Sequence, residues 1–131
     1  MKLHSFVVYG SPVAQGRPRF ARIGAGVRTY DPEKSRGWKQ EVRSQVLKAL
    51  NDVPEIHDGA LVLALAFHLQ RPKSLSKRVI FHVKKPDLDN LVKAFKDSAK
   101  GILWHDDSQV VQMTVRKVYG TTPQIIAEVR G

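Results

Sequence analysis

The chain has 131 residues, 42% hydrophobic and 26% charged, which fits one domain with its own packed core and excludes a disordered chain. Its 22 Lys+Arg against 12 Asp+Glu leave a formal charge of +10, a balance that suits a polyanionic partner. The absence of cysteine excludes a disulfide framework, a thiol nucleophile and a thiolate metal site.

Taken in chain order, residues 3–9 predict a first strand, with Phe6, Val7, Val8 and Tyr9 as β-formers. Gly10, Pro12 and Gly16 then break regular structure. Segments 20–23 and 27–30 flank Gly24-Ala25-Gly26 and predict a hairpin. Asp31 as N-cap and Pro32 as first helical residue predict a helix start, and Trp38, Val42, Val46 and Leu50 recur every four residues, so a helix is expected over 32–50. A turn-rich connector follows at 51–59. Leu61, Leu63, Leu65, Phe67 and Leu69 alternate along a strand whose other face, with Val62, Ala64 and Ala66, is apolar too, so this strand is expected at the centre of its sheet. Residues 71–85 read as a basic loop with a short helical turn near 74–80. Leu88, Leu91, Val92, Phe95, Ala99 and Ile102 form a helical stripe, predicting a helix over 89–100 stopped by Gly101. Residues 110–119 and 124–129 read as strands, and Gly120 to Pro123 between them suggests a hairpin. The order β-β-β-α-β-α-β-β implies a single small α+β domain over 1–131, with a mixed β-sheet and two main helices. The longest apolar run, 60–67, is too short to span a bilayer, and residues 1–10 lack the form of a signal peptide. A cytoplasmic protein without a membrane partner is expected.

The charges are segregated. No acid precedes Asp31, whereas Lys2, Arg17, Arg19, Arg22 and Arg28 do. A second acid-free stretch, 71–86, carries Arg71, Lys73, Lys77, Arg78, Lys84 and Lys85. Then Asp87, Asp89, Asp97, Asp106 and Asp107 place five of the 12 acids within 21 residues. Carboxylates concentrated beside basic stretches either form salt bridges or hold a cation.

The chemistry-bearing segment is Lys85-Pro86-Asp87-Leu88-Asp89-Asn90, with Lys93 and then Asp106-Asp107. On a helix, residues two apart point roughly 200° from one another and cannot share a ligand. In an extended segment they point the same way, with Cα atoms roughly 6.5–7 Å apart. Pro86 biases Lys85 away from helix, and Asp89 is a good N-cap, so the expectation is an extended Asp87–Asp89 leading into the helix. Lys93, one turn on, would lie on the same side. If Asp106 or Asp107 joins Asp87 and Asp89, three carboxylates within roughly 4–6 Å could not all ionise without a cation. Mg²⁺ suits such a cluster, because it takes a few carboxylates and completes its shell with water and phosphate oxygens. The bland alternative is an N-cap, a turn residue and a polar strand entry.

The paired blocks from Lys85 to Lys93 and Leu103-Trp104-His105-Asp106-Asp107-Ser108-Gln109-Val110 closely resemble the RusA family of Holliday-junction resolvases. Gly16-Arg17-Pro18-Arg19-Phe20, the segment from Tyr30 to Trp38 and Arg71-Pro72-Lys73-Ser74 resemble its phage-type members, including prophage copies, so the likeness runs over nearly the whole chain. The resemblance implies a homodimer that uses Mg²⁺ or Mn²⁺ to make paired, symmetric nicks across four-way DNA junctions, in recombination and repair. It also implies nucleoid association when DNA is bound. It maps the metal-binding aspartates onto Asp87, Asp89 and Asp107, with Asp106 in support, and the essential lysine onto Lys93. Asn90 is expected to orient an aspartate. DNA contact is expected from Lys84 and Lys85, then from Lys73, Lys77 and Arg78, and from Arg17 and Arg19 if these are not simply solvated. His82 and His105 flank the acids as alternative ligands or proton carriers. Trp104 is expected in packing, with a dimer contact or a base wedge as alternatives. A non-cleaving branched-DNA-binding protein and a nuclease for other branched or single-stranded nucleic acid stand beside the resolvase reading.

Overall fold

The computed structural model describes residues 2–16, 19–23, 26–30 and 33–131, with 19–23 and 26–30 as backbone only. Strands β1 (Leu3–Tyr9), β2 (Arg19–Ile23) and β3 (Gly26–Tyr30) precede helix α1 (Glu33–Ala49). Strand β4 (Leu61–Gln70), helix α2 (Leu88–Ala99), a single 3-10 turn (Asp107–Gln109), β5 (Val110–Gly120) and β6 (Gln124–Arg130) follow. The expected helix start at Asp31 and Pro32 lies outside the described residues.

The main sheet has the order β1-β6-β4-β5, and β2 and β3 form a separate antiparallel pair. β4 is central, as its two apolar faces implied. It runs antiparallel to β6 and parallel to β5. The expected hairpin between the last two strands is therefore corrected: β5 and β6 are not paired, because β4 lies between them. A parallel pair needs a crossover, and α2 supplies it. β5 is thereby carried to the far side of β4, and β6 returns to the side of β4 that is still open.

One face of the sheet meets the helices. Leu61, Leu63, Leu65, Phe67 and Leu69 of β4 and Ile125, Ala127 and Val129 of β6 form one buried cluster with Trp38, Val42 and Val46 of α1 and Leu91, Val92, Phe95 and Ala99 of α2. The four-residue spacing in α1 and the 3–4 spacing in α2 bring these side chains onto single stripes. The opposite face is less covered: Val62 and Ala64 are half-buried and Ile126 is exposed. No helix among the described residues is long and apolar enough to cross a membrane.

Candidate active site and its basic surround

The β4–α2–β5 crossover decides where each acid sits. Asp87 is the N-cap of α2, with extended φ −70° and ψ 141°, and its carboxylate makes no capping hydrogen bond. It accepts instead from Lys85 Nζ, at 3.1 and 3.2 Å, and remains half exposed. The Lys85–Pro86 peptide is cis. Lys117 Nζ on β5 donates to the carbonyls of Lys84 and Pro86 at 2.6 and 2.7 Å, fastening this lead-in to the sheet. The sequence expectation that Asp89 caps the helix is corrected. Asp89 already lies in the first turn, because the extended backbone ends at the N-cap Asp87, two residues earlier than the reading required.

Asp89 and Lys93, one turn apart, line a groove of about 460 Å³ between α2 and β5, with Leu88, Val92, Lys96, Met113 and Val115. Lys93 Nζ lies 2.6 Å from Asp97 Oδ1, and Asp97 Oδ2 lies 3.8 Å from Lys39 Nζ on α1. Sequence reasoning assigned no role to Asp97, although its i,i+4 spacing from Lys93 was the signal. Asn90 donates no side-chain hydrogen bond to either aspartate; its carbonyl accepts from Gln15 N at 3.0 Å.

Asp106 and Asp107 differ in kind. Asp106 caps the 3-10 turn: its carboxylate accepts from Ser108 N at 2.9 Å, while Gln109 Oε1 accepts from Asp106 N at 2.9 Å. The Ser108 hydrogen bonds hold its pKa below the usual carboxylate value. Gln109 Nε2 donates to the carbonyls of His57 and Gly59, so the block is riveted to the segment leading into β4. Asp107 Oδ1 accepts from the indole Nε1 of Trp104 at 2.9 Å, and Trp104 itself is fully buried. Packing, not base contact, is the role the structure gives Trp104.

Among the described residues, no three His, Cys, Asp or Glu side chains come together to hold a metal ion. The expected convergence of Asp87 and Asp89 with Asp106 or Asp107 is thus corrected for a single chain. The reason is topological. Asp87 lies where the chain enters α2, and Asp107 lies after α2 has run its 12 residues back toward the start of β5. The two ends of such a helix are about 18 Å apart. The donor set of one chain therefore does not fit a three-carboxylate metal site.

The loop that leads into Asp87 is basic. Lys73, Lys77, Arg78, Lys84 and Lys85 are all exposed. Arg71 is committed to the loop, donating to the carbonyls of Ser76 and Val79 at 2.8 and 2.7 Å. Arg17 and the side chain of Arg19 lie outside the described residues. The His82 ring lies 4.9 Å from that of Tyr119, and burial, then Lys117, lower its pKa. His105 Nε2 lies 3.1 Å from Asp58 Oδ1.

A family model for endodeoxyribonuclease RusA matches residues 9–130. The chain belongs to the RusA family. This family comprises endodeoxyribonucleases that act on branched DNA and generally depend on a divalent metal. The RusA-family match covers both acidic blocks and the basic loop between β4 and α2. The chain is also 38% identical to the uncharacterized protein YqaN of Bacillus subtilis (strain 168), over 95% of this chain and 94% of that protein.

Proposed function

We propose that this chain is a Mg²⁺-dependent, structure-selective endonuclease that resolves four-way DNA junctions by paired symmetric nicks, acting as a homodimer in recombination and repair. Mn²⁺ is the expected substitute metal. The observation that carries the reading is the RusA-family match across residues 9–130; in support, Asp87 is the N-cap of α2, Asp89 lies in its first turn and Lys93 one turn further on, and an acid-free, cationic loop leads into them.

Each residue has work to do. Lys84 and Lys85 receive backbone phosphates. A phosphate that draws Lys85 away leaves Asp87 without its counter-charge, so DNA binding and carboxylate availability are coupled. Lys93 passes from Asp97 to a phosphate oxygen at the cut. Asp87 and Asp89 are the ligands from one chain. Asp107, held by Trp104, is the better third ligand, since Asp106 is spent as a cap.

A homodimer supplies what one chain lacks. β5 is an edge strand: its first half, with Val111 and Met113 exposed, pairs with β4 on one side and, among the described residues, with no strand on the other. A second copy running antiparallel along this edge reverses the ends of α2, and so sets the partner subunit's Asp107 toward Asp87 and Asp89. Twofold symmetry then gives two sites for two cuts.

The test is cleavage of a labelled four-way junction beside linear duplex of the same arms, with and without Mg²⁺. Paired nicks that vanish without metal and in Asp87→Asn are expected, with folding and junction binding of that variant nearly unchanged. Binding without nicks would favour the non-cleaving protein, and equal cutting of linear duplex another nuclease. Mixing Asp87→Asn with Asp107→Asn subunits should restore nicking, because one of the two shared sites is then intact. No restoration would mean that each site is built within one chain.

A further inference from the structure

The segment between β4 and α2 exposes four large apolar side chains in five residues: Val79, Ile80, Phe81 and Val83, at 40, 57, 64 and 85%. A chain that buries Trp104, Phe67 and Phe95 completely does not leave these out for want of a core. Nor is the segment loose. Tyr119 N donates to Ile80 O at 2.9 Å, His82 N donates to Lys117 O at 3.2 Å, and Phe81 bridges Val118 antiparallel. Its backbone is therefore seated along the second half of β5. Strand alternation does the rest. His82 turns inward onto Tyr119, so Phe81 and Val83 turn outward together. Arg71 braces one flank and Lys117 clamps the other at Lys84 and Pro86.

This ridge is flanked by exposed cations, Lys77 and Arg78 before it and Lys84 and Lys85 after it, and residues 71–86 contain no acid. Val83 precedes Asp87 by four residues on a clamped backbone. Cations outside and apolar surface between them match a nucleic acid whose phosphates flank exposed base faces. A regular duplex hides those faces; a branch point offers them, and apolar side chains that enter there gain by stacking. Resting on the junction reading above, we propose that Phe81 and Val83 form a wedge that packs against bases unstacked at the branch point, seated by the flanking cations on phosphates. A membrane or a second copy of the chain would match the apolar surface equally, but neither explains why it is clamped beside Asp87.

The experiment uses a four-way junction carrying 2-aminopurine at the branch nucleotides, with full-length Asp87→Asn protein in Mg²⁺ to prevent cutting. Binding should raise the fluorescence by several fold. Adding Phe81→Ala, or separately Val83→Ser at the still more exposed position, should remove more than half of that rise at saturation. Each should weaken junction affinity by about tenfold and leave linear-duplex affinity within about twofold. Phe81→Tyr should retain the rise. Lys84→Gln should weaken affinity yet leave the saturated rise unchanged. An undiminished rise in both apolar variants overturns the wedge, as does equal loss of affinity for linear duplex. A fall to monomer mass in Phe81→Ala would assign the ridge to the dimer instead, and capture of the protein by anionic vesicles that depends on Phe81, with unchanged fluorescence, would assign it to a membrane. Failure of the parent protein to bind the junction at all would overturn the junction reading and this proposal with it, whereas binding with an undiminished rise overturns this proposal alone.

Discussion

Trp104 shows how one buried side chain sets up a polar one. Its indole is fully buried, and the one polar atom it carries donates to Asp107. A buried N–H needs an acceptor, so the carboxylate is held by the core and not by solvent. Trp104→Phe keeps a ring but deletes the donor and leaves a void. It should destabilise the protein by about 2 kcal/mol, from a lost hydrogen bond of about 1 kcal/mol plus a partly collapsed cavity. Urea unfolding measures this. If Asp107 works as proposed, the same variant lowers junction cutting well beyond any change in junction binding, and equal losses of both would count against that role. The residue types at this site were legible from the paired blocks, and the family resemblance put Asp107 ahead of Asp106 as a metal candidate. The different surroundings of the two acids were not legible: a cap and an indole hydrogen bond depend on which N–H groups fall within reach, and spacing does not report that.

Helix α2 is fixed at both ends by its neighbours. At its C-terminal end Arg43 of α1 donates to the carbonyls of Ser98 and Lys100, at 3.0 and 2.8 Å. These are the orphan acceptors of a helix terminus, where a cation also meets the negative end of the helix dipole. Arg43→Ala should therefore cost about 1–2 kcal/mol in urea unfolding, and Arg43→Lys should recover part of it, since an ammonium reaches one carbonyl more readily than two. No change in Arg43→Ala would show that solvent satisfies these carbonyls equally well. Periodicity made the elements themselves readable: β4 and α2 declare opposite repeats, and both fell within a residue or so of expectation. Neighbour order was not readable. The turn at 120–123 looks the same whether the strands beside it pair with each other or with β4, and the outcome depends on the crossover through α2, upstream of β5. The separation of Asp87 from Asp107 is the functional consequence of that same crossover. Local spacing, which treats the acids as neighbours, could not anticipate it.

Over the whole molecule, charge and burial make stability depend on pH in two steps. His4, His68 and His82 all have pKa values lowered from 6.5, chiefly by burial. Glu55 partly offsets this at His4, while Arg116 at His68 and Lys117 at His82 reinforce it. Among the described residues, the buried His68 Nε2 and His82 Nδ1 find no hydrogen-bond partner, which the neutral ring tolerates and the cation does not. An unfolded histidine takes up its proton near pH 6.5, so just below that pH the unfolded chain binds more protons than the folded one. The stability these rings permit is thus fully present above about pH 6.5 and is lost as pH falls through that value toward the lower folded pKa values. Glu55, lowered mainly by its hydrogen bond from Lys2, and Asp106, lowered by Ser108, extend the decline as pH falls below their ordinary values of 4.5 and 3.8. Each added proton also raises a formal charge that is already +10, and self-repulsion disfavours the compact state. Urea midpoints measured from pH 4 to 8 should be flat above about pH 7 and fall steadily from about pH 6.5 downward. His68→Gln and His82→Gln should each flatten the upper part of that fall, because a neutral amide has no proton to gain. A pH-independent midpoint between 5 and 8 would mean that these rings accept protons in place, with the sheet opening locally around them at no net loss of stability.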